Sequence, residues 1–216
     1  MTHNCELIVL SLTKTGDNAA VVHTLSREWG RRSFLISVSK GSPMSLFLPL
    51  NILEADIVEN PKSSLWRARN ICALHPLYGI RNDIRKNTMT LFMSEVLFRA
   101  IKEGTEEPGL YDWCMKSILT LDAIKDDFAN FHLRFLMELC SAMGFALSAE
   151  GIMPFAGEHY AALRKMLELS FSESMLLPLR GEDRNAMADI LLKYLSYHTE
   201  SAINVRSLSV LREIYL

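Results

Sequence analysis

Apolar and polar positions change their spacing once along this chain, near residue 76. Before that point they alternate with a period of two or form short apolar runs, as strands do. Glu6–Leu12 (ELIVLSL) reads as a short buried strand and Ala19–Leu25 (AAVVHTL) as a second, with turn chemistry at Thr15-Gly16-Asp17-Asn18 between them. Ser26–Gly30 turns the chain again, and Gly30 suits a positive φ. Arg31–Ser39 then alternates: Phe34, Ile36 and Val38 are expected to face in, Ser33, Ser37 and Ser39 to face out. Lys40-Gly41-Ser42-Pro43 breaks that run. Further on, Leu53, Ala55 and Ile57 alternate with Glu54 and Asp56. Past the loop Asn60–Ser64, Trp66, Ala68, Cys72 and Leu74 are expected on one face and Arg67 and Arg69 on the other, completing a hairpin. Five short strands within about 75 residues predict a small all-β barrel of the OB type.

From Tyr78 the period is helical. Asp83 is placed to cap a helix running to Glu103 and ended by Gly104. Met89, Phe92, Met93, Val96, Ala100 and Ile101 give it a broad apolar face, so it should be well buried and its methionines core. A second helix, after Glu106-Glu107-Pro108-Gly109, repeats Leu110, Trp113, Cys114, Ile118 and Leu121. A third, Phe128–Met143, is apolar nearly all round and is closed by Gly144. Phe145–Gly157, with Gly151, Pro154 and Gly157, is expected to be irregular. Three helical pieces follow over Glu158–Leu169, Asp183–Tyr197 and Ser207–Tyr215, the last with Ser207 as its cap. The predicted class is all-β plus all-α: an OB-type barrel over residues 1–76 and an α-helical bundle over 77–216.

Composition narrows the function more than it names it. The chain has 216 residues, is half apolar and carries a net charge of −2, so a strongly basic nucleic-acid binder is excluded. The distribution is less even: through Pro76 there are eight basic and six acidic residues, and the helical remainder is negative. No apolar run is long enough for a membrane span, and MTHNCELIVLSL lacks the marks of a secretion signal. A cytoplasmic location is therefore expected. Cys5, Cys72, Cys114 and Cys140 form no Cys-x-x-Cys pair and read as buried free thiols. With the six histidines scattered, no metal or cofactor is expected.

There is no nucleophile elbow, Walker loop or Rossmann glycine pattern. The acidic cluster Asp122, Asp126 and Asp127 sits at a helix junction, where capping explains it better than catalysis with a divalent metal, so a non-enzymatic protein is the leading reading. Among cations, Arg31, Arg32, Arg67 and Arg69 lie at strand or strand-start positions expected to point outward, and are the first candidates for phosphate contact. Lys14, Arg27 and Lys40 come next, on turns able to flank a groove. Phe34 and Trp66 read as core, while Trp29 is either an exposed stacking ring or a cap on the barrel end. On the third helix, His132 reads as a satisfied core or boundary histidine. Arg134 must snorkel, find a carboxylate or line a pocket.

The order of VVHTLSREWGRRSFLISVSK, LFLPLNILEADI, LWRARNICALHPLYGI, NTMTLFMSEVLFRAIKE, NFHLRFLMELCSAMGF and RSLSVLREIYL resembles the bacterial DNA repair and recombination family RecO, in particular its Bacteroidetes-type members. That resemblance implies an accessory factor of homologous recombination that binds single- and double-stranded DNA and anneals complementary strands. With RecR, and in some pathways RecF, such proteins help RecA replace single-stranded DNA-binding protein. They also bind the acidic, hydrophobic C-terminal tail of that protein. A helical-domain pocket with an apolar wall and a cation would suit a tail ending in a Phe carboxylate, and Arg134 and Arg99 are the candidates for the cation. Two departures matter. The cysteine zinc motif of many relatives is missing here, and the basic segment after the third strand is reduced to Lys40-Gly41-Ser42-Pro43. The alternative is a protein-interaction adaptor whose barrel no longer binds nucleic acid.

Overall fold

Five strands occupy the first third of the chain: β1 (Thr2–Lys14), β2 (Ala19–Ser26), β3 (Gly30–Ser37), β4 (Ile52–Val58) and β5 (Trp66–Ala73). The computed structural model describes residues 1–38, 43–105 and 107–215. The strands close a barrel in the order β1-β2-β3-β5-β4. β1 pairs antiparallel with β4 from Thr2 to Ile8 and with β2 from Leu7 to Lys14, and a bulge between Val9 and Ser11 bends it so that one strand serves both neighbours. β4 and β5 form the expected hairpin. Closure is narrow: β3 and β5 run parallel and pair only at Phe34 with Trp66 and Leu35 with Arg67 among the described residues. Gly30 takes the positive φ its turn requires, at 58°.

The barrel interior holds Leu7, Val9, Val22, Phe34, Ile36, Leu53, Ala55, Ile57 and Ala68. Two expectations about facing residues change. Ser33 is buried rather than outward, because the outer face of β3 is itself covered, and its Oγ hydrogen-bonds His23 Nδ1 at 2.9 Å. In β5, Asn70 has φ of 51° and the register against β4 shifts between Glu54 and Asp56. That bulge brings Ile71 to the interior and puts Cys72 and Leu74 outside, where the plain alternation placed them inside. The expectation of four buried thiols thus holds for Cys5, Cys114 and Cys140 and fails for Cys72. Ser39 and Lys40–Ser42 lie outside the described residues.

The helices are α1 (Tyr78–Arg81), α2 (Ile84–Ala100), α3 (Leu110–Ala123), α4 (Phe131–Ala142), α5 (Ala149–Ala156), α6 (Tyr160–Glu168), α7 (Phe171–Leu176), α8 (Gly181–Thr199) and α9 (Ser207–Ile214). Asp83 caps α2, its side chain accepting from the N–H groups of Arg85 and Lys86. α2 stops at Ala100, short of Glu103, because the chain beyond it turns to the barrel and Gly104 N–H donates to the Arg31 carbonyl. α5 forms where irregular chain was expected: Ser148 caps it, and Ile152 and Ala156 are buried. α7, not anticipated, carries the capping box Ser170–Glu173. Ser207 does not cap α9; its N–H and hydroxyl both donate to Glu95 of α2, at 2.9 and 2.8 Å.

α2 is the axis of the molecule. Its buried face, Met89, Phe92, Met93, Val96 and Leu97, shares one continuous core with α3, α4 and α8. The same core takes in Ile8, Leu10, Leu25, Leu50 and Ile52 from the outer surface of the barrel. Among the described residues no helix is long and apolar enough to cross a membrane.

Candidate nucleic-acid interface

One side of the barrel exterior is closed by the helices. On β2 and β3, Leu25, His23 and Arg31 lie under the end of α2. Arg31 Nη1 donates to the Ile101 carbonyl at 2.7 Å, and its guanidinium sits 4.2 Å from the Phe98 ring centroid. Burial lowers the Arg31 pKa, with Glu103 opposing. His23 meets Phe98 edge-on at 5.0 Å, and burial, then the Arg31 charge, lowers its pKa. In five-stranded barrels of this kind strands 2 and 3 are the usual oligonucleotide face. Here the end of that face around His23, Leu25 and Arg31 is the seam with the bundle, and Arg31 points into it rather than outward. Arg27 lies exposed at the edge of the same seam, ion-paired with Asp112 and Glu6 and lying over Tyr111.

At the mouth of the barrel Arg32 lies 3.5 Å over the Trp66 ring, and Trp66 meets Trp29 edge-on at 5.4 Å. Trp29 also packs edge-on against Phe34 and His3, so it caps the barrel end rather than standing free. Arg32 follows the interior side of β3, not the outward geometry expected from its strand-start position.

The outer surface of β4 and β5 is open. Arg67 and Arg69 are both exposed there, with no ion pair or hydrogen bond among the described residues. Arg69 stands opposite Asp56, but that carboxylate accepts from Asn70 at 2.7 Å and Asn4 at 3.3 Å. Those bonds, Asn70 first, hold the Asp56 pKa below its usual value. Lys14 is exposed at the end of β1, and Lys40 lies outside the described residues. Of the seven candidate cations, then, the fold brings Arg67 and Arg69 together on open surface, turns Arg31 into the seam and ion-pairs Arg27 at its edge.

The bundle carries a second feature. Trp113 and Phe135 stack at 5.3 Å and Phe131 meets Phe171 at 5.9 Å, walling a cleft of about 300 Å³ between α3, α4 and α7. Arg134 lines it; its Nε donates to Glu138 at 2.7 Å and its Nη1 to the Leu169 carbonyl at 3.1 Å, leaving Nη2 without a partner among the described residues. Lys116 stands exposed on the rim. Arg99 does not line this cleft; on α2 it pairs with Glu95 at 3.1 Å. Sequence reasoning found Arg134 but not Trp113, Lys116 or Phe171 as its companions. Trp113 and Lys116 are three apart on one helix face, a faint signal, whereas Phe171 comes from a distant helix. At the Asp122–Asp127 junction, Asp122 accepts the Ile80 N–H at 2.8 Å. No three His, Cys, Asp or Glu side chains among the described residues are placed to share a metal ion.

The family profile described as Recombination protein O C terminal matches residues 81–151. The chain is also 28% identical to the DNA repair protein RecO of Bacteroides fragilis, over 96% of this chain and 97% of the relative. The RecO of Flavobacterium psychrophilum gives the same identity and the same coverage of both chains. The RecO of Porphyromonas gingivalis is 34% identical over 63% of this chain and 58% of its own length. Along nearly its whole length the chain is similar to RecO proteins. The stretch matched by the RecO profile contains α2, α3 and α4, and so the two walls of the aromatic cleft that α3 and α4 supply, but not Phe171 of α7. The barrel lies outside that profile but inside the near full-length RecO alignments.

Proposed function

We propose that this chain works in DNA repair as a recombination mediator. It binds single- and double-stranded DNA through the barrel, promotes annealing, and recruits partners through the bundle. The observation that carries this reading is the collinear likeness to RecO proteins over 96% of the chain, barrel and bundle together. On the barrel, Arg67 and Arg69 are the principal phosphate contacts, with Arg32 and Lys14 as further contacts; Lys40, outside the described residues, is a candidate from the sequence alone. On the bundle, the Trp113–Phe135 cleft with Lys116 and the unengaged Nη2 of Arg134 suits an apolar tail ending in a carboxylate, such as that of single-stranded DNA-binding protein. RecR, and RecF in some pathways, complete the assembly that lets RecA load. No chemical step is needed for any of this.

A fluorescence-anisotropy titration of labelled oligonucleotide across a salt series tests the barrel half. Affinity should fall as salt rises, and Arg67→Ala with Arg69→Ala should reduce the log–log slope by about 1 per contact removed. Arg31→Ala should leave the slope alone and lower stability by about 2 kcal/mol, since it removes a charged donor from a seam carbonyl. Titration with a peptide copying the tail tests the other half, where Lys116→Ala should weaken binding about tenfold. The adaptor reading is favoured by one feature, the covering of His23 and Arg31 on β2 and β3 by Phe98 and Ile101. Tail binding without any DNA binding at low salt, alone or with RecR, would establish it instead.

A further inference from the structure

Resting on the DNA-binding reading above, we propose that the cleft where β5 parts from β3 is a subsite for one unstacked base of a single strand, with the neighbouring phosphates held by Arg67 and Arg69. The two strands share only two residue pairs, and beyond Leu35 and Arg67 the ladder does not continue, although Ile36, Ser37, Ala68 and Arg69 are all strand residues. The opening is a cleft of about 540 Å³. Its floor is Leu46, Phe47 and Ile71, all packed against the barrel interior, and its rim includes Arg69, Asn70 and Ser37. An apolar lining that includes an aromatic residue and is edged by a guanidinium matches a ligand that joins a planar ring to an anion. The nearest acid across the hairpin, Asp56, gives its oxygens to Asn70 and Asn4 and not to Arg69.

The same surface disfavours the other occupants. A peptide strand adding to the β5 edge needs a regular ladder, and the bulge at Asn70, with φ of 51°, interrupts it. A duplex reaches the two arginines with its phosphates but keeps its bases stacked inside, so it fills the cleft only by flipping one out. With His23, Leu25 and Arg31 of β2 and β3 under the bundle, the opening beside β5 stays accessible to a base among the described residues.

The test compares oligothymidylate with a blunt duplex on the full chain by anisotropy. Ser37→Trp fills the cleft from an exposed position, and Phe47→Leu keeps the position apolar but removes the ring. Ser37→Trp should weaken single-strand binding about tenfold, the worth of one stacked base, and leave duplex binding unchanged. Phe47→Leu should act in the same direction with a smaller loss, and thermal melting checks that both variants fold. If folded variants bind oligothymidylate like the parent, the subsite is wrong while the DNA-binding reading stands. If the parent binds neither single strand nor duplex at low salt, that reading falls and the subsite falls with it.

Discussion

His132 shows how far a single side chain is governed by its surroundings. It lies on α4 between the Phe92 and Tyr215 rings, fully enclosed, with Nδ1 lacking a hydrogen-bond partner. Burial first, then the Arg184 charge, pushes its pKa down to about 3, against the weaker pull of the Ala129 carbonyl. The unfolded chain therefore binds a proton that the folded one refuses between that value and the ordinary histidine range. Stability should thus be full above about pH 6.5 and fall by about 1.4 kcal/mol per pH unit below it. Urea midpoints from pH 7 to pH 5 measure that slope, and His132→Phe should abolish this histidine's share of it whatever the variant's stability at pH 7. The histidine was legible in the sequence as a core residue, but its neighbours were not, because Tyr215 and Arg184 lie far from it in the chain. Arg31 makes the same point for a cation. Its alternation with Phe34 and Ile36 puts it outside the barrel, and only the docked end of α2 turns that outside into an interior seam.

Among the elements, β5 and α7 decide what the two surfaces can do. β5 is bulged at Asn70 and paired with β3 over two residues, which both opens the cleft and leaves Arg67 and Arg69 in solvent. α7 is only six residues long and is held from both ends. Its N-terminus carries the Ser170–Glu173 box, and Asn130 Nδ2 donates to the carbonyls of Ser174 and Leu177 at its other end, at 3.0 and 2.8 Å. So short a helix has little stability of its own. Ser170→Ala should cost about 1 kcal/mol in denaturant unfolding and weaken tail-peptide binding, because α7 is what presents Phe171 to the aromatic cleft. The box was present in the sequence as Ser-x-x-Glu, but the helix is too short for its periodicity to stand out. α5 escaped for a different reason: Gly151 and Pro154 read as breakers, while burial of Ile152 and Ala156 outweighs them.

For the molecule as a whole, the boundary between residues 76 and 77 separates kinds of secondary structure but not cores. Ile8, Leu10, Leu25, Leu50 and Ile52 leave the barrel wall to join Met89, Phe92 and Val96 in one cluster. Arg31, Arg81 and Tyr111 tie the same seam with hydrogen bonds to Ile101, Pro49 and Glu6. Residues 1–76 expressed alone should therefore expose an apolar face and fail to show a cooperative thermal transition, while the full chain should melt in one step. A barrel that melts cooperatively by itself would show that the seam is dispensable.

The chain's own periodicity determined the barrel, the bundle and their order, because alternation and helical spacing are local and each strand or helix carries its own record of which side is apolar. The caps at Asp83 and Gly144 and the turn at Gly30 were local in the same sense. The docking of α2 on β1, with Phe98 and Ile101 reaching β2 and β3, the meeting of Trp113 with Phe171, and the turning of Arg31 inward were decided only in three dimensions. Each joins residues that no spacing rule connects, and a side chain that faces out of one element is wet or dry according to what packs against that element.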